Sequence, residues 1–395
     1  MRKTLILKPG RDKSVRAGHP WIFSGAVLRE EGEPGLGETV LVRASEGEAL
    51  GWAAYSPHSS IRARMWTRSA DAVIGADFFR ERMEQALRLR RAVIPAQDTG
   101  MRLLHAESDG LPGVVADRYG DVVVMQFLTA GAEAWRETLA DLVVELTGVR
   151  TVYERSDVDV RKLEGLPERV GDLRGEAPER VEITESGLRF WVDVRKGQKT
   201  GFYLDQRLNR QRVGEWMRGR RVLNCFCYTG AFSVYALARG AQAVLSVDSS
   251  AEALAQAQEQ VSLNNLDADR AEWVEGDVFQ MLRKLRDRGE SFDAVILDPP
   301  KFAPTAAQAE KAARGYKDIN LLGFKLLRPG GVLATFSCSG GIGADLFQKI
   351  IAGAAADAGV RASMVGTMTQ GPDHPVGLEF PEGAYLKGLL CVRTE

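Results

Sequence analysis

The sequence predicts an α/β protein of several domains, with a mostly parallel, seven-stranded, Rossmann-like sheet in its carboxyl-terminal part. From about residue 196, short apolar segments alternate with helical segments, which is the pattern of parallel strands joined by crossover helices. Two further strand-like segments close the chain and predict a terminal antiparallel hairpin. A length of 395 residues predicts two or three domains, and 45% apolar with 27% charged residues is a globular composition.

Residues 1–68 are expected to form a small β-barrel, because short strand-like segments alternate there with glycine and proline turns. Arg62 and Arg64 are expected on one face of a strand, since apolar and basic residues alternate around them. Trp21 and Phe23 either stack on unpaired bases or belong to the barrel core. The first sixteen residues carry one acid, Asp12, and six basic residues: Arg2, Lys3, Lys8, Arg11, Lys13 and Arg16.

This basic cluster either contacts nucleic-acid phosphates or is a solvated terminus, and charge alone does not separate the two. The formal net charge of −1 excludes a surface covered with cations. The amino terminus has too short an apolar stretch for a signal peptide, and no run approaches a membrane span, so we expect a cytoplasmic location. Four cysteines in a chain of this length do not make a disulfide framework.

Residues 72–195 predict a compact α+β domain. Segments 72–95 and 132–147 have helical periodicity, and strand-like segments lie between and after them. The polar loop 107–110 is its one candidate for chemistry.

Residues 196–395 predict the parallel sheet. The predicted strands are 221–227, 243–248, 271–275, 292–297, 331–337, 362–370 and 385–393. The predicted helices are 231–239, 250–264, 278–288, 307–327 and 344–358. The final hairpin is typical of class I methyltransferases and unusual for a nicotinamide-binding Rossmann domain.

The first predicted strand of this sheet leads into a loop and a helix start that suit a bound nucleoside. Gly230 lets the backbone approach a ligand, and the helix amino terminus supplies free N–H groups. The chain has no G-x-G-x-x-G fingerprint, which disfavours a pyrophosphate ligand. Asp248, Asp277 and Asp298 end successive strands, where acids either bind ribose and base or cap helices. A ligand with ribose and adenine but no pyrophosphate is S-adenosylmethionine.

Cys338 and Asp298 each follow a buried strand, so they are expected to face one planar substrate beyond the carboxyl edge of the sheet. A thiolate can attack carbon 6 of a cytosine and activate carbon 5 towards methylation, while the acid holds the polar edge of the ring. The alternative is that Cys338 is one more buried cysteine. Cys225 and Cys227 share a strand face, but no second cysteine pair or matching histidine pair accompanies them, so we expect no metal site.

Several motifs resemble the bacterial large-subunit (23S) ribosomal RNA cytosine-5 methyltransferases, which join an amino-terminal PUA domain to a Rossmann-like methyltransferase. The resemblance covers nearly the whole chain and rests on segments 19–27, 107–113, 199–207, 224–230, 297–302, 314–320 and 335–340. It implies a PUA barrel at 1–68, a middle domain at 72–195, a methyltransferase domain at 196–395 and S-adenosylmethionine as the methyl donor. The implied partner is large-subunit ribosomal RNA, naked or in an assembly intermediate, and a homodimer is possible.

The resemblance and the residue patterns together give a set of expected site residues. Cys338 is expected to be the nucleophile, with Asp298 as its catalytic partner. The cofactor is expected to contact Tyr203, Gln206, Phe226, Tyr228, Thr229, Gly230, Asp248, Asp277 and Pro299. RNA is expected to contact Arg11, Lys13, Arg16, Trp21, Arg62, Arg64 and Lys301. Many other RNA cytosine-5 methyltransferases carry a second cysteine just after the motif's proline. This chain has Pro300-Lys301 there, a departure that fits the subfamily but leaves the release step unassigned.

Two other functions fit parts of the sequence. A purine nitrogen methyltransferase would also hold a base edge with Asp298 but would need no thiol. A non-catalytic, RNA-binding ribosome-assembly factor would not require the glycine loop or the acids at the strand ends.

Overall fold

The computed structural model describes residues 3–302 and 308–395. The chain forms two compact units, and each is built from several segments. Unit 1 contains Met1–Glu185, Val192–Leu204 and Pro372–Gly383. Unit 2 contains Ser186–Trp191, Asp205–Gly371 and Ala384–Glu395. The three sequence-predicted domain boundaries stay predictions.

Unit 1 begins with a six-stranded sheet that corresponds to the predicted barrel. Its elements are β1 (Thr4–Leu7), α1 (Lys13–Arg16), β2 (Trp21–Phe23), β3 (Val27–Glu31), β4 (Thr39–Arg43), β5 (Ala49–Tyr55) and β6 (Ile61–Thr67). The strand order is β2-β6-β5-β4-β1-β3, and β1 pairs in parallel with β4. Alternate residues of these strands, such as Leu5, Leu7, Val40 and Val42, point into one apolar core.

A five-stranded sheet with helices follows in unit 1. Its elements are α2 (Ala76–Val93), β7 (Gly100–His105), β8 (Val114–Tyr119), β9 (Val122–Phe127), α3 (Ala130–Ala134), α4 (Arg136–Thr147), β10 (Thr151–Ser156), α5 (Val160–Leu163) and β11 (Arg169–Arg174). The strand order is β11-β10-β9-β8-β7. The single helix predicted at 132–147 is wrong, since α3 and α4 meet at Trp135. Strand β11 was not predicted, because its exposed edge sequence RVGDLR lacks an apolar period.

The two sheets of unit 1 share a hydrophobic cluster. Trp66 on β6 packs edge-on against Phe79 on α2, with ring centroids 5.2 Å apart. A side chain on Gly131 of α3 would lie 2.2 Å from the Ala54 Cβ, so this contact requires glycine. Removal of residues 1–68 would therefore expose apolar surface of the middle region.

Unit 2 is built on the predicted Rossmann-like sheet. β12 (Arg180–Glu185) ends the first segment of unit 1, and the elements that follow it along the chain are β13 (Leu188–Asp193), α6 (Arg207–Gly214), β14 (Arg221–Cys225), α7 (Ala231–Ala238), β15 (Ala243–Asp248), α8 (Ala251–Leu263), β16 (Ala271–Glu275), α9 (Val278–Asp287), β17 (Phe292–Leu297), α10 (Ala309–Leu326), β18 (Leu327–Ser337), α11 (Ala344–Ala358), β19 (Ala362–Met368) and β20 (Lys387–Arg393).

The seven strands of the main sheet have the order β16-β15-β14-β17-β18-β20-β19. Strands β14 to β18 pair in parallel, and β20 is antiparallel to both of its neighbours. The predicted fold class, including the terminal antiparallel hairpin, is confirmed. Residue 307, at which the helix predicted at 307–327 begins, lies in segment 303–307, outside the described residues.

The predicted polar loop 107–110 has a structural role in unit 1. The guanidinium of Arg90, only 1% exposed, donates two hydrogen bonds of 2.7 Å to the carboxylate of Asp109. It also donates to the carbonyl of Asp373 at 3.0 Å. The backbone N–H of His105 donates to Asp109 at 2.6 Å. Asp109 therefore satisfies a buried cation and fixes the turn after β7.

We expect Asp109→Ala to lower the free energy of unfolding of unit 1 by about 3–5 kcal/mol, because it leaves Arg90 buried without its carboxylate. Denaturant unfolding measures this loss. The control is Asp77→Ala, whose side chain is 98% exposed in the first turn of α2 and should cost less than about 1 kcal/mol. Equal losses in the two variants would contradict the assignment.

Candidate active site

The register of the parallel strands aligns their carboxyl ends at one edge of the sheet in unit 2. Cys225 pairs with Val247 on one side and with Leu297 on the other. Leu297 in turn pairs with Thr335. The residues that follow these strand ends therefore lie at the same edge, as the sequence predicts.

The loop after β14 has an unusual backbone. Phe226 and Tyr228 have φ values of 58° and 49°, in the left-handed region that costs non-glycine residues about 1–3 kcal/mol each. Tyr228 N donates to Asp248 Oδ2 at 2.8 Å, and Cys227 N donates to the Val247 carbonyl at 3.1 Å. These bonds to β15 hold the loop in its strained conformation.

Gly230 ends this loop and begins α7. Its φ is 75°, and a Cβ would lie 2.7 Å from the Ala257 Cβ and 3.0 Å from the Trp273 ring. Glycine is therefore required on both steric and conformational grounds. Beneath the loop, buried Asn224 donates to Ser233 at 2.8 Å, which fixes the amino terminus of α7 to β14.

Asp248 and Asp277 are held differently. Asp248 is half-buried and accepts hydrogen bonds from the backbone of Tyr228 and from Ser250 N at 3.0 Å. A carboxylate has about four acceptor positions, so Asp248 keeps capacity for ribose hydroxyls. Asp277 is exposed, and its side chain accepts from Gln280 N at 2.9 Å as the N-cap of α9. The helix-capping alternative for a strand-end acid therefore applies at Asp277.

Asp298 is oriented by a chain of amides. The side-chain amide of Gln206 donates to Asp298 Oδ2 at 3.0 Å. Gln206 is buried, and its oxygen accepts from Asn209 at 2.6 Å, which also donates to the Thr369 carbonyl at 3.0 Å. Gln206, predicted to bind the cofactor, is thus a partner of the predicted catalytic acid. Beyond Asp298, Pro299 is buried and Lys301 is exposed.

Cys338 differs from the other three cysteines. It is half-buried just beyond β18, whereas Cys225, Cys227 and Cys391 are buried. Burial raises the pKa of Cys225 and Cys227 well above the usual value and that of Cys391 to about 11. A thiol so far from ionisation at neutral pH is a poor nucleophile. Cys338 is therefore the cysteine whose surroundings suit chemistry.

Tyr316 on α10 fixes the segment around Cys338. Its hydroxyl is 2.9 Å from Ser339 Oγ, and both residues are fully buried. Burial raises the pKa of Tyr316, while hydrogen bonds with Ser337 and Ser339 act in the opposite direction.

Four aromatic rings connect the loop after β14 with this tyrosine. The centroids of Phe226 and Phe279 are 6.4 Å apart, and those of Phe279 and Phe302 are 5.9 Å apart. Phe302 lies 4.8 Å from Tyr316. The packed rings thus link the loop after β14, the segment after β17 and the tyrosine that contacts the segment around Cys338.

Several predicted site residues belong to unit 1. Tyr203 donates its hydroxyl hydrogen to Gln198 at 2.6 Å, with the Lys199 ammonium 4.2 Å from the ring centre. Trp21 is half-buried, and its indole N–H donates to Glu107 at 2.9 Å, so it is partly engaged in packing.

The predicted RNA-binding cations of unit 1 fall into two groups. Arg11 and Lys13 are exposed, and Arg2 lies outside the described residues. The other three have carboxylate partners: Arg16 pairs with Asp12 and Glu48, Arg62 lies 3.9 Å from Glu30, and Arg64 pairs with Glu164 and Glu107.

The prediction that Arg64 contacts RNA does not fit this placement. Arg64 is 6% exposed, and its guanidinium lies 2.9 Å from Glu164 and 3.5 Å from Glu107. An RNA phosphate would have to displace these buried acids. The alternation of apolar and basic residues predicted the strand face on which Arg64 lies. It could not show that Glu164 and Glu107 cover this face.

Neither a metal centre nor a membrane helix is found in the part of the chain that the structure describes. Within residues 3–302 and 308–395, no three or more His, Cys, Asp or Glu side chains are grouped so that they could hold a metal ion. No helix in those ranges is long and apolar enough to cross a membrane.

The fold and the loop after β14 define a class I methyltransferase that uses S-adenosylmethionine, and comparisons with known proteins agree. Residues 158–389 match the S-adenosylmethionine-dependent methyltransferase family, and residues 5–68 match a PUA-like domain. The chain belongs to the ribosomal RNA large subunit methyltransferase I family. It is 51% identical to that protein of Shewanella amazonensis and 50% identical to that of Aeromonas salmonicida, in each case over 98% of both chains.

Solved structures show the same fold. One described as a SAM-dependent methyltransferase from Streptococcus mutans has a TM-score of 0.84 and 23% identity, covering 99% of this chain and 100% of that chain. Another methyltransferase, complexed with S-adenosylhomocysteine (SAH), has a TM-score of 0.85 and 23% identity with the same coverage. The predicted cofactor, S-adenosylmethionine, is confirmed. The acceptor capacity of Asp248 fits this ligand.

We expect Asp248→Ala to weaken S-adenosylmethionine binding by about 1–3 kcal/mol, because hydrogen bonds to the ribose and to the loop are lost. Isothermal titration calorimetry measures the change. The control is Asp287→Ala on α9, an exposed acid of the same unit, which should bind the cofactor as the unaltered protein does. Unchanged affinity of Asp248→Ala would remove Asp248 from the pocket.

Proposed function

We propose that the protein methylates carbon 5 of a cytosine in large-subunit (23S) ribosomal RNA through a covalent intermediate on Cys338. The observation that carries the proposal is a half-buried thiol directly after β18, which pairs with β17, the strand that Asp298 follows. The family assignment supports ribosomal RNA as the substrate, since the relatives are large-subunit ribosomal RNA methyltransferases.

The chemistry requires a nucleophile because carbon 5 of cytosine is too electron-poor to accept a methyl group unaided. The Cys338 thiolate attacks carbon 6, the sulfur–carbon bond forms, and electron density moves to carbon 5 and into the ring. S-adenosylmethionine, when bound, supplies an electrophilic methyl group and leaves as S-adenosylhomocysteine. After methylation, a base accepts the carbon 5 proton, and the electrons of that bond restore the carbon 5–carbon 6 double bond and expel Cys338 as a thiolate.

Asp298 is proposed to hold ring nitrogen 3 and the exocyclic amine of the cytosine. In protonated or hydrogen-bonded form it stabilises the negative charge that attack at carbon 6 places on the ring. Gln206 and Asn209 support this role, because they fix the carboxyl group before substrate arrives. Such preorganisation removes part of the reorganisation cost from the transition state.

The remaining predicted site residues complete the proposal, together with domains at 1–68, 72–195 and 196–395. The protein acts in the cytoplasm, on naked RNA or on an assembly intermediate, as a monomer or a homodimer. The proposed cofactor contacts are Phe226, Tyr228, Thr229, Gly230 and Asp248, and Tyr203, Asp277 and Pro299 are further candidates. The proposed RNA contacts are Arg11, Lys13, Trp21 and Lys301, with Arg16 and Arg62 available after exchange of their acidic partners.

We expect Cys338→Ala to abolish formation of 5-methylcytosine while cofactor affinity stays within about twofold, since the thiol is required for attack and not for binding. Nucleoside analysis of large-subunit RNA incubated with each protein measures the product. With RNA that carries 5-fluorocytosine, the unaltered protein should form a covalent adduct, because fluorine cannot leave as a proton.

The matched control is Cys391→Ala, which removes a buried thiol on β20 and should retain the adduct. If Cys338→Ala still made 5-methylcytosine, the covalent mechanism would be wrong. If the Cys338→Ala protein made a methylated purine instead, the nitrogen methyltransferase alternative would replace the covalent mechanism.

The exposed cations of the amino terminus give a separate test of RNA binding. We expect Arg11→Gln/Lys13→Gln to reduce the slope of log affinity against log salt by about 1 to 1.5, because each phosphate contact to single-stranded RNA contributes roughly 0.7. Fluorescence anisotropy at several salt concentrations measures the slope. The control Lys284→Gln/Lys349→Gln removes two exposed cations of unit 2, and its slope should not change. Equal slopes in all three proteins would assign phosphate contact to other residues.

A further inference from the structure

Lys387 lies beside the proposed nucleophile, although nothing in the sequence motifs drew attention to it. It is the first residue of β20 and pairs with Ser337 on β18, directly before Cys338. Its ammonium group donates a hydrogen bond of 2.8 Å to the carbonyl of Ser339, directly after Cys338. The side chain therefore spans the segment that presents the thiol, and it is half-buried.

The charges of Lys387 and Cys338 influence each other. Burial lowers the pKa of Lys387, the negative charge of Cys338 acts to raise it, and the positive charge of Lys301 lowers it further. An electrostatic interaction between two sites is reciprocal, so a Lys387 ammonium must favour the Cys338 thiolate by the same free energy. Partial removal from water strengthens this interaction relative to a surface ion pair.

The other titratable groups near Cys338 come from α10 and from the segment after β17. Tyr316 on α10 contacts Ser339 and interacts electrostatically with Cys338. Asp298 follows β17, the strand adjacent to β18, and would disfavour a thiolate when ionised. Lys301, three residues beyond Asp298, is exposed and acts on Lys387. Lys387 differs from these groups because it is a cation that donates a hydrogen bond to the segment that carries Cys338.

We propose that Lys387 is a positioning residue whose fixed ammonium group is the counter-ion of the Cys338 thiolate. The catalytic role of Lys387 rests on the proposed function. Its effect on the ionisation of the Cys338 thiol does not. No bond to Lys387 forms or breaks: the thiol proton is lost to water before attack. When the sulfur–carbon bond forms, the negative charge moves from sulfur to the pyrimidine ring.

A merely structural role would be different. Lys387 could serve only to anchor the Ser339 carbonyl, in which case its hydrogen bond would matter and its charge would not. Glutamine can donate a hydrogen bond without a charge, whereas arginine keeps the charge with a different shape. Lys387→Gln, Lys387→Arg and Lys387→Met therefore separate the two roles.

The test is the pH dependence of Cys338 alkylation by iodoacetamide in the full-length protein, followed by mass spectrometry of the peptide that contains Cys338. We expect Lys387→Met and Lys387→Gln to raise the apparent pKa of the Cys338 thiol by about one unit, because a stabilising cation is lost. Alkylation at neutral pH should then be about tenfold slower. Lys387→Arg should keep a pKa close to that of the unaltered protein.

The control is Lys325→Met, which removes an exposed cation at the opposite end of β18, roughly 20 Å or more from Cys338 by strand geometry. Its alkylation profile should not change. An unshifted profile in both Lys387→Met and Lys387→Gln would overturn the inference, whatever the activity of these variants. A shift in Lys387→Met with a normal profile in Lys387→Gln would also overturn it, since the hydrogen bond and not the charge would then be responsible.

The two proposals fail separately. If the Lys387 variants did not shift the pKa of the Cys338 thiol, the adduct test with 5-fluorocytosine would still decide the proposed function. If Cys338→Ala still methylated carbon 5, Cys338 would not be the nucleophile, but the alkylation profiles of the Lys387 variants would still report the interaction between Lys387 and Cys338. If Lys387→Met does not fold, the comparison of Lys387→Gln with Lys387→Arg decides between charge and hydrogen bond, with circular dichroism as the check on folding.

Discussion

The pairing register of β17, β18 and β20 is the constraint on which the candidate active site depends. Leu297 is opposite Thr335, which places Asp298 level with Phe336 and two residues short of Cys338. With strands about 4.8 Å apart and about 3.3 Å per residue, the Cα atoms of Asp298 and Cys338 lie within about 8 Å. Ser337 is opposite Lys387. A slip of one residue between β18 and β20 would turn Lys387 to the other face of the sheet and remove the cation from the thiol.

Buried arginines explain why the basic content of unit 1 overstates its capacity to bind RNA. Arg64, Arg90 and Arg161 are almost fully buried, and each has an acidic partner within 3.0 Å. The desolvation of such pairs offsets much of their attraction, so they define geometry more than they add stability. Arg11 and Lys13 are exposed, so the proposed phosphate contacts of the amino terminus rest on cations of this kind and not on the buried arginines.

The sequence predicted what depends on local pattern, and long-range contacts account for most of what it missed. Buried parallel strands appear as apolar runs, so β14 to β18 and the residues after them were found close to their observed positions. The contact of Gln206 with Asp298 spans 92 residues, and that of Lys387 with Ser339 spans 48. The local sequence around Lys387 gives no sign of a role at a distant thiol, because only the pairing of β20 with β18 brings the two together.

A single accessible thiol also constrains the end of the proposed reaction. With Pro300-Lys301 where related enzymes carry a second cysteine, Cys338 must both attack carbon 6 and leave it. A thiol with a lower pKa leaves faster and is more fully ionised, but its thiolate is a weaker nucleophile, and the optimum lies near the ambient pH. In the proposal, the Lys387 ammonium group favours the thiolate both before attack and at departure. Burial and the positive charge of Lys301 oppose that ammonium form, whereas the Cys338 thiolate favours it, so the two charges depend on each other.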